Sequence, residues 1–252
     1  MITSEDDLGH PVPLDSSPRR VVSLVPSLTE TLAHARPGLL VGATVWCTHP
    51  ADLDVERVRG TKNPHLSRII ELAPDLVVAN REENRRRHVE ALRAAGITVW
   101  VTDIRTVTDA FVSLRRLLAV CGLPVPAWLP EAEHLWSASP TEGPRVAVPI
   151  WRDPWMFVGG DTFAHDVFAR LGAVNVCAHR EGRYPAVSAE EVLGDGTELA
   201  VLPDEPYAFG PDDGPEAFPG VPSVCVSGRD LTWYGPSLVP AHTRLRAALH
   251  AP

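Results

Sequence analysis

The chain has 252 residues, 44% of them hydrophobic and 22% charged, which supplies a full core for one large domain or two lobes and is too apolar for a disordered chain. A formal charge of −9 removes the broad basic footprint that nucleic acid or anionic lipid requires, so a small molecule is the expected partner. Cys47, Cys121, Cys177 and Cys225 lie far apart with no C-x-x-C spacing, which argues against a structural zinc module or a dense disulfide framework and fits a reduced chain.

The opening stretch, "MITSEDDLGHPVPLDSSPRR", carries acids where a signal peptide needs a basic start and an apolar run, and no later segment has the length of a membrane span. A cytoplasmic location without membrane insertion is the expectation. Past an N-terminal extension over 1–19, "RVVSLV" suits a buried strand, "SLTETLAHA" a helix with Ser27 as N-cap and Glu30 at the capping-box position, and "LLVGATV" the next strand. "HLSRIIELA" is a short helix closed by Pro74, "DLVVA" a strand, "ENRRRHVEALRAAG" a helix stopped by Gly96, and "ITVWVTD" a further strand. Over 106–140, "TVTDAFVSLRRLLAVCG" and "AWLPEAEHLWSA" predict a helical connector that runs into the turn-rich "SPTEGP". The alternation restarts over 141–252 with "RVAVPIW", "TFAHDVFARLG", "VNVCA", "SAEEVLG", "ELAVLP", "SVCVSG" and a last helix.

The halves echo each other, with Val21 and Val77 answered by Val146 and Val201 at nearly constant spacing. Helices between apolar strands require parallel pairing in covered sheets. The expected fold is therefore α/β: two similar doubly wound lobes, 20–105 and 141–252, joined by a helical backbone, with a ligand cleft between them at the strand carboxyl ends.

Polar and aromatic residues gather at those ends. The cluster Asn80 to Arg85 follows one strand, either as the first turn of a solvated helix, with Glu82 and Glu83 favoured by its dipole, or as a ligand wall that uses Asn80, Glu83 and Arg85. "WCTHP" follows another strand. Cys47 and His49 there offer a nucleophile and base or two metal ligands, but no further ligand pair accompanies them, so no metal is expected; the alternative for Cys47 is a small buried side chain. In the second half "WRDPW" and "PDEPY" stand at strand ends, and "VGGDTF" places Asp161 or Thr162 as an N-cap whose amides suit an anionic group. Trp46, Trp151, Trp155, Tyr184, Tyr207, Trp233 and Tyr234 fall in loops or at strand ends, suited to a planar or hydrophobic ligand or to packing between lobes, whereas Trp100 lies inside an apolar strand and belongs to the core.

The series "RVVSLVPSLTETL…VGATVWCTHP…LSRIIELAPDLVVAN…LRAAGITVWVTD", followed by "MFVGGDTFAHDVFARLGAVNV", "RYPAVSAEEVL" and "RDLTWYGPSL", resembles the helical-backbone, cluster III or TroA-like, substrate-binding proteins from Arg20 onward, its corrinoid-binding members above all. The resemblance implies two α/β lobes bridged by a rigid helix and gripping a metal chelate, tetrapyrrole or corrinoid. Carried across from the corrinoid binders, the cleft positions are Pro26, Trp46, Thr61, Asn80, Tyr184, Asp230 and Trp233. Thr61 and Asn80 replace tryptophan platforms of those proteins, which favours a smaller or more polar ligand. The glutamate that each lobe presents to a permease corresponds here to Ser67 and Glu190, so one of the pair is missing and permease docking is not expected.

Three functions remain open at this point. The first is a cytoplasmic binding protein for a metal chelate, tetrapyrrole or other small organic cofactor. The second is an enzyme for a small polar substrate, using Cys47 and His49 with Glu83, Asp161 or Glu205 as acid or base. The third is a transporter-coupled substrate-binding protein.

Overall fold

The computed structural model describes residues 2–137 and 142–250, so part of the turn-rich stretch expected at 139–144, with the expected boundary at 140, lies outside the described residues. The chain divides into two compact units: Met1–Ile104 with Thr108–Leu129 and Tyr234–Pro236, and Arg105–Val107 with Pro130–Trp233 and Ser237–Pro252.

Unit 1 opens with an antiparallel hairpin, β1 (Ile2–Glu5) on β2 (Pro11–Leu14), where an extension was expected. Asp6 closes its tip. One carboxylate oxygen accepts the Leu8 and His10 amides, and the other takes Arg93 at 2.7 Å and the Val101 amide at 3.3 Å. The main sheet then forms from β3 (Val21–Ser23), β4 (Leu40–Ala43), β5 (Glu56–Arg57), β8 (Leu76–Asn80) and β9 (Val99–Thr102), in the order β5-β4-β3-β8-β9 with every pair parallel. A small ribbon, β6 (Arg59–Gly60) with β7 (Asn63–Pro64), interrupts the run between β5 and β8. The central strands β3 and β8 are buried at every position, as a sheet covered on both faces requires.

Helices α1 (Pro26–Ala35), α2 (Leu66–Glu71) and α3 (Arg86–Ala94) follow the strands. Two of them start where the sequence pattern did not place them. The N-cap of α1 is Val25, without a side-chain cap, because Pro26 fits the first helical position with its fixed φ and puts Ser27 inside the helix. The N-cap of α3 is Arg85 and its first turn holds no acid, so Glu82 and Glu83 precede the helix. The core between sheet and helices gathers Val22, Leu24, Ile69, Val77, Leu92 and Val101. Of the two predicted connector helices, α4 (Val107–Val120) lies almost wholly in unit 1 and α5 (Trp128–Trp136) largely in unit 2.

Unit 2 carries β10 (Arg145–Ala147), β11 (Pro149–Trp151), β12 (Met156–Phe157), β13 (Val174–Asn175), β14 (Leu199–Pro203) and β15 (Ser223–Val226). The sheet order is β13-β10-β14-β15, all parallel, and β11 turns back on β12 as a separate antiparallel pair. The sequence echo is thus topological, β13-β10-β14-β15 repeating β4-β3-β8-β9. The register corrects one detail: Val22 faces Val77 and Ala147 faces Ala200, so Val77 corresponds to Ala200 and not to Val201. Helices α6 (Phe163–Arg170), α7 (Ala189–Gly194), α8 (Gly228–Thr232) and α9 (Leu238–Leu249) complete the unit, α7 through a full capping box between Ser188 and Glu191.

Candidate functional site at the strand ends

In unit 1, the loop after β8 is built by two asparagines. The Asn80 side-chain oxygen accepts the amides of Glu82 at 2.8 Å and Glu83 at 3.2 Å, and its nitrogen donates to Thr102. Asn84 answers by accepting the Asn80 amide at 2.8 Å and donating to the carbonyls of Leu24 and Thr61. The loop is a side-chain-closed turn in place of a helix start, stabilised by donors and acceptors that water would otherwise claim. Asn80 and Thr61 come together through Asn84, while Arg85 is exposed and Glu83 half-buried.

The loop after β4 holds the other unit 1 candidates. Trp46 is 63% exposed, and its indole nitrogen lies 3.2 Å from where a side chain on Gly60 would begin, so the ribbon passes close beneath it. Cys47, one residue on, is fully buried, with Thr29 Oγ1 at 3.0 Å and Thr44 Oγ1 at 3.2 Å from its sulfur. Burial pushes its thiol pKa up and the charge of Glu83 adds to the rise, the reverse of what a nucleophilic thiolate needs. Half-buried His49 makes a hydrogen bond between Nδ1 and Thr48, and Pro26 is buried at the start of α1.

In unit 2 the candidates form an aromatic group. Trp155 stacks on Phe209 at 5.7 Å and 7°, meets Phe218 edge-on, and carries the Arg152 guanidinium 5.0 Å from its ring centroid. Tyr207 packs on Phe209 at 4.6 Å and edge-on against Trp151, which stays 43% exposed. The Tyr207 hydroxyl donates to Asp213, which also pairs with Arg152, and Arg152 reaches Glu216 at 2.8 Å. Tyr184 is half-buried. The rings, the guanidinium and the two carboxylates orient one another.

Five candidates are occupied within their own unit. Asp230 is buried and held bidentately by Arg244 at 2.5 and 2.6 Å. Trp233 is 8% exposed beneath Arg229 and bonds Glu205, whose carboxyl pKa burial raises and neighbouring Asp204 raises further. Asp161 pairs with Arg105 at 2.9 Å, and the α6 N-cap is Thr162, which accepts the His165 amide. Tyr234, expected at a loop, is fully buried in unit 1 near Ser27 and Thr102. Among the described residues no three His, Cys, Asp or Glu side chains are grouped to hold a metal ion, and no helix is long and apolar enough to cross a membrane.

Sequence reading placed Asn84 and Arg152 at strand ends without giving them a role, and passed over Phe209 and Asp213. The N-x-x-x-N spacing of Asn80 and Asn84 was a usable signal, since a short amide side chain reaches a backbone amide a few residues away. Phe209 and Asp213 pair with nearby Tyr207, but the partners in "WRDPW" that tie them to the strand end lie more than fifty residues earlier, beyond any local signal.

No protein-family model matches the chain. It is 32% identical over 211 residues to the vitamin B12-binding protein of Salmonella typhi, covering 77% of this chain and 76% of that one. It is also 32% identical over 200 residues to the vitamin B12-binding protein of Photorhabdus laumondii, covering 75% and 72%. Among solved structures, the periplasmic vitamin B12 binding protein of Vibrio cholerae superposes with a TM-score of 0.76 at 20% identity, over 92% of this chain and 97% of that one. A periplasmic heme binding protein from Pseudomonas aeruginosa does so with a TM-score of 0.76 at 21% identity, over 92% and 93%.

Proposed function

We propose that this chain, which belongs to the helical-backbone, TroA-like family of substrate-binding proteins that includes the vitamin B12-binding proteins, is a cytoplasmic binding protein for a metal chelate, a tetrapyrrole or a similar small organic cofactor. The observation that carries this reading is the pair of indoles left in solvent at strand ends, Trp46 at 63% and Trp151 at 43% exposure. Apolar area in water costs about 25 cal/mol per Å², which a flat ligand laid over an indole recovers. The polar loop around Asn80, Thr61 and Glu83 favours a ligand smaller or more polar than a corrinoid. Ser67, exposed on α2 opposite in role to Glu190 on α7, supports a protein detached from a permease.

Native mass spectrometry of the chain isolated from its own host tests the reading. A retained organic mass with chelate or tetrapyrrole absorbance is expected. A chain that retains nothing and binds neither hemin nor cobalamin on titration contradicts it. Fractionation of the same cells checks the location, and recovery from the membrane or an exported fraction contradicts that part. The buried, hydrogen-bonded thiol of Cys47 gives the enzyme reading no support.

A further inference from the structure

We propose that unit 1 carries a second binding site, for a small organic anion, in the groove between the N-terminal hairpin and α3. The groove has a volume of about 750 Å³, a size suited to a metabolite. Arg81, Arg86 and Arg93 line it together with the apolar side chains of Leu8, Val89 and Val101. Of the strand-end loop, Asn80, Arg81 and Asn84 border it, while Trp46, Cys47, Thr61, Glu83 and Trp151 do not, so this site goes beyond the function proposed above.

Charge points to the class of ligand. The chain is strongly acidic, yet residues 81–93 hold five arginines against three glutamates. Each lining arginine meets its carboxylate through a single nitrogen: Arg81 Nη1 to Asp103 at 2.7 Å, Arg86 Nε to Glu90 at 2.5 Å, and Arg93 Nη2 to Asp6 at 2.7 Å. A guanidinium has five N–H donors in a planar fork, so these pairings leave donors for a second oxyanion. Arg86 is 92% exposed, and an ion pair so solvated contributes little, so exchanging Glu90 for a ligand anion costs little. Arg93 is fixed in advance by Asp6, whose side chain is fully buried. Leu8, 41% exposed at the hairpin tip, is the open apolar contact, set against the nearly buried edges of Val89 and Val101 on the groove floor, and no inorganic ion would use it. The fitting ligand is a carboxylate or phosphate monoester on a compact apolar body.

Methyl-labelled protein titrated with phenyl phosphate, benzoate and inorganic phosphate tests this. At least one of the two organic anions should shift the methyl signals of Leu8, Val89 and Val101 to saturation, and their relative affinity tells carboxylate from phosphate. Inorganic phosphate should bind about tenfold more weakly, lacking the apolar contact. The double variant Arg81→Gln with Arg86→Gln should lose about tenfold in affinity, and Arg87→Gln, on α3 but outside the groove, should lose nothing. If the double variant disturbs methyl signals elsewhere, Leu8→Glu at the exposed hairpin tip replaces it and should abolish the shifts. Absence of saturable shifts with both organic anions, undiminished binding by the variants, or inorganic phosphate binding as tightly as phenyl phosphate would overturn the proposal.

Discussion

The carboxyl ends of β8 and β14 occupy equivalent places in the two sheets, and the chain leaving each is held by different physics. After β8, Asn80 and Asn84 close the loop with hydrogen bonds to backbone and to each other. After β14, Tyr207 and Phe209 are held by the rings of Trp151 and Trp155, with Arg152 and Asp213 binding the edges. Repetition has preserved the sheet and let the loops diverge, because parallel strand pairing depends on continuous apolar runs whereas loop conformation depends on whichever side chains reach the backbone. One unit therefore holds its strand-end loop with directional hydrogen bonds, and the other with packed rings.

Trp155→Ala should break the aromatic side of this contrast most severely. It removes a ring that stacks on Phe209, meets Phe218 and lies under Arg152, and the loss should be about 3–4 kcal/mol in urea unfolding. A cost under about 1 kcal/mol would mean the cluster does not hold the loop. On the polar side, Asn84→Ala strips the Asn80 amide of its acceptor and leaves the Leu24 and Thr61 carbonyls without this donor, for about 2–3 kcal/mol by the same measurement. Glu83→Ala sharpens the polar claim where it touches function: affinity for the retained ligand should fall about tenfold, with stability changed by no more than about 0.5 kcal/mol. Arg87→Ala, exposed farther along α3, should leave both unchanged.

The smallest expected effect is a pH dependence in unit 2. Burial raises the Glu205 carboxyl pKa above its unfolded value, so the folded protein holds that proton more tightly. The stabilising contribution is complete below the unfolded glutamate pKa and is lost as pH rises through the folded one. Glu205→Gln should therefore gain stability relative to the parent chain as pH climbs through that window, read as diverging midpoints of denaturant unfolding. Parallel curves would assign Glu205 an ordinary solvated carboxyl.

The strands that carry the sheets were legible because "RVVSLV", "DLVVAN" and "ELAVLP" are apolar runs with no other use, and β8 and β14 are buried along their whole length. Helix starts were less so. Pro26 began α1 ahead of Ser27, and the acids before "NRRRHVEAL" imitate a first turn although the Asn80 turn uses their amides. The hairpin at 2–14 was unreadable, since β2 alternates proline with apolar residues and Asp6 is anchored to Arg93, 87 residues away. Within the candidate site, Trp46 and Trp151 are exposed at strand ends, while Asp230 spends its charge on Arg244 and Trp233 is buried, partnerships that exist only after the chain folds.

The central proposal, that an exposed strand-end indole receives a planar ligand, is met most directly by titrating hemin into the parent chain, into Trp46→Ala and into Trp151→Ala, each followed by absorbance. The account predicts saturation in the parent chain and a loss of about tenfold in at least one of the two variants, since a stacked ring contributes about 1 kcal/mol beyond its area. Absence of saturation, or affinity unchanged in both variants, would contradict it.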